Sequence, residues 1–258
     1  MRLTVLGCAG SFPGPESACS AYLVEADVVD PLTGARRPFR LLVDFGPGAL
    51  TALQRYASLT AVDAILLTHL HCDHFLDACS YVVVRRYAPG GPLPVIPVYA
   101  PSGAPDRLAA AYSSDGTSLD DVYTFYGLQP GTFPIGPFRV TVDRVKHPVE
   151  TYGVRLEYGD AVLAYSADTA VCESLVRLAQ GADLFLCEAS YLDGEPNPPG
   201  LHLTGREAGE VATKAGVGRL LLTHLVPAWG SEADTFEAAS AAFAGPVEIV
   251  RPGCRYEI

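Results

Sequence analysis

The 258-residue sequence has few basic residues and no long apolar run. It contains 18 Lys and Arg against 29 Asp and Glu, which gives a formal net charge of -11. Proteins that hold a nucleic-acid backbone normally present a basic surface, so we expect no stable nucleic-acid complex. No stretch reaches the roughly 20 apolar residues that span a bilayer, and the N-terminal MRLTVLGCAG is too short for a signal peptide. We therefore expect a cytoplasmic protein with no membrane contact.

Paired cysteines are also missing from the sequence. The chain has 7 cysteines, an odd number, and none of them forms a C-x-x-C pair. This usage is typical of small buried residues in a reducing compartment and not of a disulfide framework.

Short apolar segments that favour strands recur along the whole chain, and helical patterns lie between them. The clearest helix is LTGREAGEVATKAGV, in which Thr204 and Glu207 form a T-x-x-E capping box and Gly216 suits the C-terminal end. Strands alternating with helices predict an α/β fold with helices packed over extensive sheet. The sequence shows no domain boundary, so we predict one domain over residues 1–258.

Three of the 6 histidines lie in one short segment, THLHCDHF, directly after the apolar run AVDAILL. Residues i and i+2 on an extended backbone point to one side, so His69 and His71 are predicted to face the same way. Asp73 and His74 then come from the following turn. Imidazole nitrogens and carboxylate oxygens are ligands that zinc, manganese and iron accept. Exposed polar residues at a helix entry are the alternative, but this density of ligand-type residues favours a metal site.

The pattern H-x-H-x-D-H is similar to the signature of the metallo-β-lactamase superfamily, and the resemblance extends over essentially the whole chain. It implies a four-layer αββα sandwich with metals at one edge. It also implies a histidine, an aspartate and a histidine at later strand ends. His147, Asp168 and His224 follow apolar segments in that order.

The same resemblance implies two divalent metal ions. Zinc is the default from the ligand types, and manganese or iron fits the same nitrogen and oxygen donors. The implied ligands form two groups with one bridging carboxylate: His69, His71 and His147 for one ion, Asp73, His74 and His224 for the other, and Asp168 for both.

Two further residues resemble the phosphodiesterase branch of the superfamily, which includes tRNase Z. Glu188 lies in FLCEASY, and His202 lies in the H-x-T sequence HLT. The branch carries such a pair near the phosphate, although His202 alone could be a polar residue at a helix start. The resemblance implies catalytic roles for three residues: Asp73 orients the nucleophile or accepts its proton, and His202, oriented by Glu188, stabilises phosphoryl charge or protonates the leaving oxygen.

Two positions in the sequence differ from those of other branches of the superfamily. True β-lactamases carry a cysteine where Asp168 stands, and the oxygen-reducing diiron relatives usually carry glutamate where His71 stands. Both differences favour a dinuclear hydrolase. Ala167 departs from the family pattern, which more often has glycine before the aspartate, so we expect a slightly different turn there.

The interval between His147 and Asp168 bears on the substrate. It reads TYGVRLEYGDAVLAYS, a plain β-hairpin, and leaves no room for the long basic arm of the tRNA-processing relatives. The blocks LGCAGSFPGP, HPVETYG and LLLTHLVP resemble actinobacterial proteins described as atypical class II cyclic-nucleotide phosphodiesterases. We therefore predict hydrolysis of a small-molecule phosphodiester such as a cyclic nucleotide. An RNA-processing nuclease like tRNase Z, or a carbonyl hydrolase such as a lactonase or thioesterase, is the alternative, and a homodimer stays open.

Overall fold

Two β-sheets lie face to face and form the centre of the molecule, for which a computed structural model describes residues 1–29, 34–227, 229–230 and 232–258. The first sheet has the strand order β15-β1-β3-β4-β5-β6-β7, with β2 beside β1. Its strands are β1 (Arg2–Ala9), β2 (Ala18–Cys19), β3 (Ala21–Val29), β4 (Arg36–Val43), β5 (Ala64–Leu66), β6 (Ile96–Ala100), β7 (Tyr123–Gly127) and β15 (Arg255–Glu257).

The second sheet has the order β14-β13-β12-β11-β10-β9-β8. Its strands are β8 (Gly131–Ile135), β9 (Phe138–Arg144), β10 (Tyr152–Tyr158), β11 (Ala161–Tyr165), β12 (Leu184–Glu188), β13 (Leu220–Thr223) and β14 (Val247–Ile249). Helices cover the outer faces of both sheets: α1 (Ala49–Leu53), α2 (Cys72–Arg86), α3 (Ala104–Tyr112), α4 (Glu173–Ala179), α5 (Gly205–Ala215) and α6 (Glu232–Ala242).

Alternation along the strands produces the layers. Leu41 and Val43 of β4 face the second sheet, whereas Leu42 between them faces α1 to α3, as the two-residue period of a strand requires. A third apolar cluster joins the outer face of the second sheet to α4, α5 and α6. The predicted α/β fold with a four-layer αββα arrangement is confirmed. A single domain over residues 1–258 stays a prediction.

Parallel pairing directs several strand ends to one edge of the sandwich. Strands β4 to β7 are parallel to one another, and so are β11 to β14. In such sheets the carboxyl ends of the strands carry the loops that bind ligands. The hairpin predicted between His147 and Asp168 is also present, as β10 and β11 in antiparallel register.

The sequence predicts the helix α5 and both of its ends correctly, but two other helices were missed. The capping box of Thr204 and Glu207 is present, and Gly216 ends the helix in the left-handed conformation with φ 66°. The sequence reading assigned no helix to α2 or α6. All 7 cysteines are free, but only Cys19, Cys79 and Cys187 are buried as predicted; three others are partly buried, and Cys72 is exposed. None of the described helices combines the length and the apolar character needed to cross a bilayer.

We expect Gly209→Ala to destabilise the fold, although alanine is the better helix former by about 1 kcal/mol. A Cβ atom at Gly209 would lie 2.5 Å from the carbonyl oxygen of Ala239, so α5 and α6 would have to separate. Overpacking of this kind costs about 1–3 kcal/mol, which outweighs the gain in propensity. Thermal unfolding measures the difference, with the exposed neighbour Glu210→Ala as the control. A variant as stable as the wild type would contradict this close helix contact.

Candidate metal centre

The seven predicted metal ligands come together at the edge where the parallel strands end. His69, His71, Asp73 and His74 follow β5 and continue into the first turn of α2. The other three side chains follow strands of the second sheet: His147 after β9, Asp168 after β11 and His224 directly after β13. Within the described residues, these side chains form two groups whose donor atoms lie within 4.8 Å of one another, and both groups share Asp168.

The first group contains His69, His71, His147 and Asp168. His71 Nδ1 lies 3.2 Å from His69 Nε2 and 3.1 Å from His147 Nε2. Asp168 Oδ2 lies 3.6 Å from His69 Nε2. Ligand atoms at zinc bonding distance in a tetrahedron are about 3.3 Å apart, so these four donors are spaced as one ion requires.

The second group contains Asp73, His74, Asp168 and His224. His74 Nε2 lies 3.2 Å from His224 Nε2 and 3.2 Å from Asp168 Oδ1. Asp73 Oδ2 lies 3.2 Å from His224 Nε2. All four side chains are buried, and their donor atoms converge on one point.

Two observations test whether this cluster suits a cation. Asp168 Oδ1 is buried and has no hydrogen-bond partner among the described residues, which is costly for a carboxylate unless a cation neutralises it. Burial lowers the pKa of His69, His71 and His147, so these imidazoles are neutral near pH 7 and keep a lone pair for a metal. The histidine and aspartate cluster is therefore able to bind metal ions.

The ring nitrogens that point away from the cluster are also occupied. Metal-binding histidines usually engage their second nitrogen with a carboxylate, a carbonyl or a similar group, which fixes the ring orientation. Four such contacts occur: His69 Nδ1 to Thr68 Oγ1 at 3.1 Å, His74 Nδ1 to Asp44 Oδ2 at 2.8 Å, His147 Nδ1 to the Leu201 carbonyl at 2.9 Å, and His224 Nδ1 to Ser190 Oγ at 2.8 Å.

Asp44 is a functional residue that the sequence reading missed. Its fully buried carboxylate accepts hydrogen bonds from the Thr68 amide at 2.8 Å and the Tyr165 hydroxyl at 3.1 Å, besides its contact with His74. Asp44 thereby connects the end of β4 to the histidine segment and holds His74 in place. The only signal in the sequence was a carboxylate at the end of the apolar segment FRLLVDFG.

Strained backbone is concentrated around this cluster. Among the described residues, four non-glycine residues have positive φ: Ser11, Asp44, Ala167 and His224. The Ser11 amide donates to Asp73 Oδ2 at 2.8 Å, and Ala167, at φ 53°, directly precedes Asp168. Such conformations cost about 1–3 kcal/mol each and persist where surrounding contacts over-determine them. Alanine at 167 therefore keeps the left-handed turn that glycine adopts more easily.

His202 and Glu188 form a pair beside the second group. Glu188 is fully buried, and its Oε1 accepts from His202 Nδ1 at 2.9 Å and from the Thr169 amide at 2.7 Å. Burial lowers the pKa of His202, but the charge and hydrogen bond of Glu188 outweigh it, so the pKa lies above its ordinary value. The His202 ring centroid lies 5.5 Å from that of His147 and 5.6 Å from that of His224. The pair thus places an imidazole with a raised pKa next to the predicted ligands.

Known proteins resemble this chain over most of its length. The uncharacterized protein Rv1339 of Mycobacterium tuberculosis is 44% identical over 257 residues, which cover 97% of this chain and 89% of that protein. A ribonuclease Z of Mycobacterium bovis is 29% identical over 290 residues, which cover 100% of this chain and 98% of the ribonuclease.

The probable metallo-hydrolase YhfI of Bacillus subtilis is similar in sequence and in structure. It is 29% identical over 260 residues, and the alignment covers 100% of both proteins. Its crystal structure superimposes with a TM-score of 0.83 at 27% identity and covers 99% of this chain and 98% of YhfI.

A family model described as the β-lactamase superfamily domain matches residues 39–225, a segment that contains all seven clustered histidines and aspartates. Together with the shared fold, this match identifies the chain as a member of the β-lactamase superfamily, a metallo-hydrolase whose histidine and aspartate cluster is able to bind metal ions.

Proposed function

We propose that the protein is a phosphodiesterase that uses two divalent metal ions to hydrolyse a small phosphodiester such as a cyclic nucleotide. The observation that carries this proposal is the His202–Glu188 pair, in which a buried carboxylate 2.9 Å from Nδ1 orients an imidazole beside the metal-ligand cluster. Zinc is the metal that the ligand types favour, with manganese or iron as alternatives. Divalent ions held in pairs act as Lewis acids on phosphoryl oxygens and lower the pKa of water.

The protein's own side chains supply the proton transfers in this scheme. With Nδ1 engaged by Glu188, His202 has Nε2 left for the substrate, where it donates a proton to the leaving oxygen. Asp73 Oδ2 accepts from the Ser11 amide, which fixes the carboxylate that orients the nucleophile or accepts its proton. Hydrolysis of an alkyl phosphodiester needs such a donor, because an alkoxide is a poor leaving group.

Three observations support a small substrate. The segment between His147 and Asp168 is a short hairpin, so no arm extends from this position. The formal net charge of -11 opposes the approach of a long polyanion. The match to ribonuclease Z extends over 290 positions, more than the 258 residues of this chain, so the ribonuclease has segments without a counterpart here.

An RNA-processing nuclease is the second candidate, because the ribonuclease Z of Mycobacterium bovis is 29% identical over the full chain. Cleavage of precursor tRNA in a gel assay tests it. Activity on precursor tRNA that exceeds activity on cyclic AMP would favour this candidate over the small-substrate proposal.

A metal-by-substrate screen tests the proposed function. The purified protein is stripped with a chelator, reloaded with zinc, manganese or ferrous iron, and offered bis-p-nitrophenyl phosphate, cyclic AMP and a p-nitrophenyl ester. We expect the stripped protein to be inactive and the reloaded protein to hydrolyse the two phosphodiesters. Asp73→Ala serves as the inactive control, with a loss of about 10²–10⁴-fold for a group that positions or takes the proton. Hydrolysis of the ester alone, under every metal condition, would refute the proposal and favour a carbonyl hydrolase.

A further inference from the structure

A cavity of about 270 Å³ lies beside His202, at the edge of the second sheet. Its wall includes Lys146, Tyr191, Asn197 and Glu207, together with the Pro-rich turn that ends at Gly200. The Tyr191 ring meets the His202 ring edge-on, with 5.2 Å between centroids. Small-molecule pockets commonly measure about 300–1,000 Å³, so this cavity lies just below that range.

Lys146 is the cation of this cavity, and it directly precedes His147 in the chain. The chain has two lysines, and the other one, Lys214, pairs with Glu173 at 2.6 Å. Among the residues that the structure describes, no carboxylate forms an ion pair with the Lys146 ammonium. Glu207, the carboxylate in the same wall, accepts instead from the Thr204 amide at 2.9 Å within the capping box. An unpaired cation in so acidic a chain is available to an anionic ligand.

The backbone of Lys146 is fixed by the same contacts that hold the His202–Glu188 pair. The Lys146 amide donates to Thr169 Oγ1 at 3.1 Å, and the Thr169 amide donates to Glu188 Oε1 at 2.7 Å. Lys146 also accepts from the Ala170 amide at 2.8 Å through its carbonyl oxygen. The ammonium therefore extends from a rigid point one residue away from a predicted metal ligand and within the same cavity as His202.

We infer that this cavity is the anion-binding part of the substrate site, and that the Lys146 ammonium binds a phosphate oxygen of a mononucleotide within the wall that Tyr191 and His202 also line. The inference rests on the proposed function for the identity of the substrate, but the anion site is defined by its own residues. The small size of the cavity, with Lys146 the one lysine or arginine in its wall, favours a mononucleotide over a longer nucleic acid. Lys146 acts here through charge and hydrogen bonding to substrate, and the proton transfers belong to other residues.

Three variants test the site: Lys146→Gln removes the charge, Lys146→Arg keeps it, and Lys214→Gln is the matched control on the other lysine. The metal-loaded proteins are titrated calorimetrically with adenosine 5′-monophosphate and, separately, with uncharged adenosine. We expect Lys146→Gln to weaken binding of the monophosphate about 10-fold to 100-fold, the range for one charge-assisted hydrogen bond, and to leave adenosine unchanged. Lys146→Arg restores most of the affinity, and Lys214→Gln matches the wild type. In turnover of cyclic AMP, Lys146→Gln raises KM more than it lowers kcat.

The possible results distinguish a failure of the anion site from a failure of the proposed function. A protein that hydrolyses no phosphodiester but loses monophosphate affinity on Lys146→Gln keeps the anion site and loses the proposed reaction. An active phosphodiesterase whose Lys146→Gln variant binds the monophosphate like the wild type overturns the inference alone. Equal losses in Lys146→Gln and Lys214→Gln also overturn it, because a general charge effect would then suffice. If Lys146→Gln weakened binding of a single-stranded RNA and left the monophosphate affinity unchanged, Lys146 would be an RNA contact. That result would overturn the proposal of a mononucleotide ligand.

Discussion

Replacing Asp168 with asparagine is expected to abolish hydrolysis and to reduce the metal content of the purified protein from the two ions proposed above to one or fewer. Asp168 is the only side chain shared by both groups of donors, and its Oδ1 and Oδ2 face different histidines, His74 and His69. Asparagine has the same shape but no charge, so it cannot neutralise two cations. We expect activity to fall by about 10³-fold or more, at least the loss seen when one preorganised electrostatic contact is removed from an active site.

Stability distinguishes this effect from simple unfolding. Metal at 100 times its Kd stabilises the native state by about 2.7 kcal/mol, whereas a variant whose Kd is 100-fold weaker retains about 0.4 kcal/mol. The metal-dependent rise in Tm should therefore nearly disappear in Asp168→Asn. The metal-free variant should still unfold cooperatively, because asparagine fills the same buried space as Asp168. Asp160→Asn, in the exposed hairpin turn, is the control, and an unchanged metal content in Asp168→Asn would contradict the bridging role.

The ligand residues were predictable from the sequence because histidines and aspartates directly follow apolar segments that form strands. His69 to His74 follow an apolar segment at a density that few surface loops have, and His224 directly follows the strand LLLT. Parallel strands bring their carboxyl ends to one edge, so residues far apart in the chain converge once the sheet pairing is correct. The capping box at Thr204 was predictable for another reason, since all its partners lie within one turn.

Residues that act through long-range contacts were not predictable in this way. Asp44 contacts His74 across 30 positions, and the Ser11 amide contacts Asp73 across 62, so neither pairing follows from a local pattern. The role inferred for Lys146 depends on which loops enclose it, and one lysine in a sequence has no pattern to reveal that. Helix α2 begins inside the histidine segment itself, and its apolar period of Phe75, Ala78, Cys79 and Val82 starts only after the ligand residues.

His202→Ala should lower kcat on cyclic AMP by about 10²–10⁴-fold, the usual contribution of a positioned general acid. The metal content should not change, because each of the two groups that share Asp168 has four donors without His202, and His202 belongs only to a third group with Glu188 and His224. The loss should be much smaller on bis-p-nitrophenyl phosphate, since p-nitrophenolate leaves without needing a proton and the ribose alkoxide does not. Glu188→Gln should show the same pattern in weaker form, because the amide keeps one acceptor for Nδ1 but loses the charge that raises the pKa of His202.

The loss of activity on substrates with different leaving groups shows whether His202 donates a proton or stabilises phosphoryl charge. Equal losses on both phosphodiesters would mean that the imidazole stabilises phosphoryl charge, because that charge develops whichever group leaves. Full activity on a p-nitrophenyl ester together with loss of both phosphodiesterase activities would show that the metal centre alone serves carbonyl substrates and that the pair is specific to phosphorus. A variant that loses metal along with activity would instead make His202 a metal ligand, a role that the group of Glu188, His202 and His224 would also fit.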